Sequence, residues 1–276
     1  MSVTGAEGAT KSGGLWSVLG LPSPSAWRRM RALARAELTL LLRNRTAVFV
    51  SLAMPVLMMG ATSSTVGELD LEGTGFSAGE VVLTGGLGIV LVLVIYTGLI
   101  PTYVARREER TLKRLRTGEL TDGEILVGSA APAATLALAQ CVILVACGVL
   151  AFDVSAPRSL PLLLVGIVLG FVMLTALAAA TAAFTKTVES AQITSMPLLM
   201  VSLVGSGLMV PLEVMPDAMA AVCRVFPVTS LTELMRDGWL GGLDGTERLR
   251  ALVVAVAWTA FAVFAVRRWF RWEPRH

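Results

Sequence analysis

The stretch Val81-Val-Leu-Thr-Gly-Gly-Leu-Gly-Ile-Val-Leu-Val-Leu-Val-Ile-Tyr-Thr-Gly-Leu-Ile-Pro-Thr-Tyr-Val104 carries no charge along its whole length. About 20 apolar residues in a helix cover a hydrocarbon core of about 30 Å, so this run reads as a membrane span. Similar runs recur at 46–66, 125–151, 159–184, 192–212 and 250–267. The composition agrees: 276 residues, 55% hydrophobic and 16% charged, with a mean hydropathy of +0.73. A water-soluble domain of this size has neither so much apolar nor so little charged content. The expected fold class is an all-α polytopic membrane protein with six transmembrane helices.

The same inventory excludes most chemistry. The single histidine is the last residue, His276, so a Ser-His-Asp triad or an H-E-x-x-H zinc site has no histidine to use. Lys11, Lys113 and Lys186 all lie outside the apolar runs, where desolvation cannot activate them. Cys141, Cys147 and Cys223 lack metal-ligand spacing. Gly5 followed by Thr10-Lys11-Ser12 imitates a phosphate loop, but Thr10 stands where that loop needs glycine and no strand precedes it. No catalytic, cofactor-binding or metal-binding residue is expected, and the chain reads as a non-enzyme. The net charge of +3 is spread in short clusters between apolar runs, which speaks for topology and against nucleic acid as a partner.

Those clusters set the orientation. The 62–80 loop holds Glu68, Asp70, Glu72 and Glu80 and no Lys or Arg, whereas 105–118 holds Arg106, Arg107, Arg110, Lys113, Arg114 and Arg116, and the C-terminus holds Arg267, Arg268, Arg271 and Arg275. Lys and Arg in short loops stay on the cytosolic side, so both termini are expected there, in a multi-pass protein of the plasma (cytoplasmic) membrane. Residues 1–24, rich in Gly, Ser, Thr and Pro, read as a disordered cytosolic tail ahead of a six-span membrane domain at 25–276. From Ser25 to Asn44, Trp27 and a series of leucines alternate with five arginines, the pattern of an interfacial helix on membrane lipids. The spans themselves offer neutral polar groups and almost no ionisable ones, so self-powered ion-coupled transport is disfavoured.

Two loops carry the functional signal. Glu108, Glu109, Arg110, Thr111, Leu112, Lys113, Arg114, Leu115, Arg116 and Thr117 form a charged segment in which Leu112 and Leu115 share a face. Glu109 and Lys113 are spaced for an i, i+4 pair. A small apolar knob ringed by charge suits docking as well as it suits a merely solvated helix. After the fifth run, Pro211, Glu213, Met215 and Pro216 interrupt the apolar pattern, and Pro227 to Arg236 resumes it with Ser230 and Glu233 spaced as a capping box. The expectation is that Pro211 and Pro216 end the fifth span and that a re-entrant external hairpin follows, the alternative being a plain extracellular loop. Met54, Met58, Met196, Met200 and Met209 cluster in the first and fifth runs; with Tyr96 they are candidates for a substrate path, since methionine adapts its shape to varied apolar ligands. Ordinary helix packing is the alternative account. Gly166 and Gly170 form a small-x-x-x-small step, read as an intrachain contact.

With these residues in view the sequence resembles the type-2 permease subunits of ATP-binding-cassette exporters. Their cytosolic loop follows E-R-x-x-G-T-L-x-x-L-x-x-T-P and then E-I-L-x-G-K. Glu108, Thr111, Leu112, Lys113, Arg114, Leu115, Arg116 and Thr117 match, as do Glu124, Ile125, Leu126 and Gly128; Arg110, Gly118 and Ser129 depart from it. The stretch Ser206 to Pro216 and the segment from Pro227 through Glu233 to Arg236 resemble the family's second motif. The resemblance implies an ATPase-coupling helix comprising Glu108, Glu109, Thr111, Leu112, Lys113 and Leu115, and an external gate comprising Pro211, Glu213, Met215, Pro216, Pro227 and Glu233. It also implies separate ATPase subunits holding ATP and Mg, and a second permease chain, identical or not. The expected activity is export of an amphiphilic drug-like or antibiotic molecule. A permease for lipid or polysaccharide and a non-transporting membrane scaffold stand as alternatives.

Overall fold

A helix satisfies each backbone amide within its own segment, which is what a chain without access to water requires. The computed structural model describes residues 42–66, 77–109, 122–152, 154–208 and 212–269 and scattered positions from 28 to 40; at 47, 62–66, 122–124 and 213 the backbone alone is described. Among the described residues there is no strand. The elements are α1 (Arg45–Val66), α2 (Ala78–Val90), a π-helical segment (Leu91–Thr97), α3 (Gly98–Glu108), α4 (Asp122–Phe152), α5 (Leu160–Phe184), α6 (Val188–Gly205), a 3-10 turn (Leu212–Val214), α7 (Asp217–Cys223), α8 (Pro227–Leu240) and α9 (Gly245–Trp269).

Among the described residues, five stretches are long and apolar enough to cross a membrane: Ala78–Glu108, Ile125–Phe152, Leu160–Phe184, Val188–Gly205 and Gly245–Trp269. The pair α7 and α8 passes the same test jointly but is bent by 101°. α1 has 22 residues, with its described apolar portion at Val48–Ala61. The chain is therefore an all-helical, multi-pass membrane protein. The fifth run is shorter than the expected 192–212. α6 stops at Gly205, because Gly207 takes φ +69°, a left-handed conformation that glycine adopts without penalty. Neither Pro211, which lies outside the described residues, nor Pro216 ends it.

The continuous stretch α2–π–α3 is the axis of the bundle. Within its apolar window 67% of residues are buried, against 28%, 17% and 22% for the windows in α4, α6 and α9, whose outer faces are left for lipid. A capping box starts it: the Glu80 amide donates to Ser77 Oγ at 3.2 Å, and the Ser77 amide to Glu80 Oε2 at 2.9 Å. Pro101 inside α3 cannot donate to the Thr97 carbonyl, and the helix is widened into π geometry over the preceding turns.

Against this axis lies α8, in which every residue from Pro227 to Trp239 is buried. It packs on α5, α9 and α2. Gly166 and Gly170 of α5 make room for Met235 and Leu231 of α8, so the small-residue step is an intrachain seam. At Gly238 an added Cβ would run into the Leu163 backbone, and at Gly85 into the carbonyl oxygen of Leu208. Glycine at 85 is thus what lets the chain beyond α6 fold back onto α2.

Candidate functional site

Three regions bear on function, one at each end of the bundle and one within it. At the first end, α3 runs into the charged loop. Glu108 is its last residue and Glu109 its C-cap, with the Glu109 amide donating to Ala105 O at 2.9 Å; both side chains are exposed. Thr111, Leu112, Lys113 and Leu115 lie outside the described residues. The base of the loop is fastened on both sides. Tyr103 donates its hydroxyl to Leu126 O at 3.0 Å, and Arg106 Nη1 donates to Ser129 Oγ at 2.7 Å, joining α3 to α4. Ser129, one of the departures from the resembled pattern, supplies this acceptor.

Arg107, fully buried, reaches the other way. Its Nη1 donates to Ala182 O at 2.9 Å, and its Nη2 to Thr185 O at 2.6 Å and Lys186 O at 3.2 Å. These carbonyls close α5 and begin the turn into α6, the groups that a helix leaves without intrahelical donors. A guanidinium at a helix C-terminus also meets the negative end of its dipole. Sequence reading counts Arg106 and Arg107 only as topological charges; their separate roles follow from which neighbours face them.

At the opposite end, the carbonyls left exposed where α6 breaks are taken up by α8. Thr229 Oγ1 donates to Gly205 O at 3.3 Å and Arg236 Nη2 to Gly207 O at 2.7 Å. Irregular backbone among apolar helices is tolerated when its polar groups are satisfied in this way. Glu233 binds Arg250 Nη2 at 3.1 Å and stands 3.7 Å from Arg224 Nε, and Asp237 binds Arg248 Nε at 2.7 Å and accepts from the Leu243 amide at 3.1 Å. Trp239 Nε1 donates to Ser155 O at 3.1 Å, and the Arg158 amide donates to Trp239 O at 3.0 Å. Arg236 belongs to α8, and Arg158, Arg224, Arg248 and Arg250 each contact it. Near them the Glu247 amide holds the Asp244 carboxyl below its ordinary range.

The described gate candidates take different surroundings. Met215 packs with Leu212, Ala220 and Cys223 in a small satellite cluster, Pro216 is the exposed N-cap of α7, and Pro227 is the buried first residue of α8. Pro211 and the Glu213 side chain lie outside the described residues. The capping box at Ser230 is absent: α8 begins at Pro227, whose fixed φ suits a first helical position, and Ser230 Oγ donates to Pro227 O at 2.7 Å. Glu233 serves as a counter-ion instead. Buried charge is thus present at the ends of the bundle, in Arg107, Glu233, Arg236 and Asp237, all outside the apolar runs read as spans.

The third region is a cavity of about 320 Å³ between α1, α2 with the π segment, and α4. Met54 and Met58 line it together with Met59, Leu93 and Gln140. Tyr96 is buried elsewhere, its hydroxyl 3.2 Å from Thr181 Oγ1. Met196 and Met200 are exposed on α6, and Met209 lies outside the described residues. Of the described methionine candidates, Met54 and Met58 alone line this cavity.

Residues 28–240 match the profile of the ABC-2 type transporter family. The chain is 29% identical over 169 residues to the probable multidrug ABC transporter permease YbhR of Escherichia coli strain K12, and equally to that of strain O157:H7. The match covers 60% of this chain and 46% of either relative, so the chain spans about half the length of the curated relatives it matches. With the profile spanning most of the bundle, from residue 28 to the end of α8, the chain belongs to the ABC-2 type transporter family.

Proposed function

We infer that the chain is the membrane permease subunit of an ATP-driven exporter, working with separate ATPase subunits and a second permease chain. ATP and Mg on those ATPase subunits supply the free energy; this chain supplies the gated route. The observation that carries the reading is the anchoring of α3. The loop entering from Glu108 is tied to α4 through Tyr103 and Arg106 and to the α5–α6 turn through Arg107. A force applied to that loop is thereby transmitted to three spans, as packed elements with fixed contacts transmit rigid-body shifts.

In this reading α1 completes a set of six spans, with α7 and α8 forming the re-entrant external hairpin. The basic 28–43 segment lies on the cytosolic leaflet, and both termini are cytosolic in the plasma membrane. The described positions of that segment are helical, with Arg28, Arg31, Leu40 and Leu42 exposed. Glu108, Glu109, Thr111, Leu112, Lys113 and Leu115 make up the coupling element, and the transported molecule is an amphiphile. The multidrug designation of YbhR supports that substrate class.

Replacing Leu112 and Leu115 together by Ala tests coupling. Each buried leucine contributes about 1.5 to 3 kcal/mol, so docking of the ATPase weakens strongly while membrane insertion and permease pairing persist. The measurement is ATPase activity of the reconstituted complex beside a binding assay. Normal stimulation in the double variant overturns the assignment of the docking element, and absence of any P-loop ATPase in mild-detergent copurification overturns the exporter reading.

A further inference from the structure

The α1–α2–α4 cavity is close to the small end of the range for ligand pockets, about 300 to 1,000 Å³. Its wall is made of the adaptable side chains of Met54, Met58 and Met59 and of aliphatic groups from α2 and the π segment. No Asp, Glu, Lys or Arg is among the described residues that line it. An ion entering would lose its hydration with nothing to replace it, so the space selects uncharged molecules.

Ser51 and Gln140 are polar residues of its lining, and Gln140 is 3% exposed. Nε2 donates to Ser51 O at 2.7 Å, while Oε1 is buried beside the cavity without a hydrogen-bond partner among the described residues. The reversed amide would set Oε1 against the Ser51 carbonyl oxygen, two acceptors face to face, so the orientation is fixed by that contact. The group left over is an acceptor, and a donor completes it. Gln140 also lies near the middle of the Ile125–Phe152 span. A phospholipid lying in its own leaflet keeps its polar region at the membrane boundary, away from this depth.

We propose that the cavity binds an uncharged amphiphile that carries one hydroxyl or amide N–H donor, with the donor on Gln140 Oε1 and the apolar body between Met54, Met58 and Val90. This deepens the exporter reading by giving a ligand class to a site within one permease chain, and it rests on that reading only in calling the ligand a substrate.

The test uses the purified full chain in detergent micelles, without ATPase, and a diazirine-bearing octan-1-ol as photoprobe. Labels map to 51–59 and 136–144, and octan-1-ol competes about fivefold better than octyl methyl ether, the worth of one neutral hydrogen bond. Octylamine in its charged form competes poorly. Gln140→Leu removes the preference for alcohol over ether while the ether still binds. A Cβ at Gly86 meets only the end of the Leu144 side chain, at 3.5 Å, so Gly86→Leu grows into the cavity and removes most of the labelling; Gly86→Ala, the milder form, lowers it. Labelling that spreads over the exposed faces at Val142 and Val168 and ignores these variants overturns the proposal. So does equal competition by alcohol and ether, or a copurified phospholipid that blocks the probe until it is extracted. A failed exporter reading shows itself separately, as intact labelling without ATPase stimulation.

Discussion

Replacing Arg107 by Met keeps an unbranched apolar stem, shorter by the guanidinium, and removes the donors to Ala182 O (2.9 Å), Thr185 O (2.6 Å) and Lys186 O (3.2 Å). The two shorter contacts are charge-assisted, and hydrogen bonds to charged groups contribute about 1.5 to 3 kcal/mol each. Their loss costs roughly 3 to 6 kcal/mol. Burying a guanidinium carries its own desolvation penalty, and removing it returns part of that sum. The carbonyls remain, so the net destabilisation is about 2 to 3 kcal/mol. Arg107→Lys retains one point-like donor and falls between wild type and Met. Equilibrium unfolding of the three proteins in mixed micelles measures this order. If coupling runs through the α5–α6 turn, Arg107→Lys also lowers ATPase stimulation at temperatures where it is fully folded and still binds the ATPase. A Met variant within about 0.5 kcal/mol of wild type, the range of an ordinary surface substitution, refutes the reasoning. The α5 carbonyls are then satisfied by water or by tightened turns of their own helix.

Gly85→Ala is expected to expel the Leu208 segment from α2 and to destabilise the protein, whereas Gly86→Ala, one residue on, leaves its thermal midpoint nearly unchanged; equal midpoints for the two would contradict the fold-back at Gly85. Glu233→Gln removes the carboxylate shared by Arg250 and Arg224, whose side chains are 35% and 37% exposed. With that exposure the cost is about 1 to 2 kcal/mol, read by the same unfolding assay, and charge restoration by Asp recovers part of it. Orientation is checked by cysteine labelling in a cysteine-free background: position 70 reacts from outside and position 113 only after permeabilisation, and external reaction at 113 would reverse the topology.

Apolar run length was sufficient for the all-helical, multi-pass class and for the approximate limits of the five long apolar helices, because hydrophobic burial is a property of composition along the chain. The family pattern was legible as well, in Glu108 to Thr117 and in Ser206 to Arg236. What one dimension could not contain is which residues meet. Arg107 and Arg106 are neighbours in sequence, yet one caps α5 and the other joins α4, because successive helical positions point about 100° apart and different helices lie on either side. Met54 and Met196 look alike in composition and both are exposed, yet Met54 borders the α1–α2–α4 cavity and Met196 does not. The break after Gly205 depends on glycines that have no side chain to announce it, and the start of α8 at Pro227 replaced a capping box that spacing alone suggested. Hydrogen-bond partners and cavities are set by distances in three dimensions between segments far apart in the chain, and only the tertiary structure decided them.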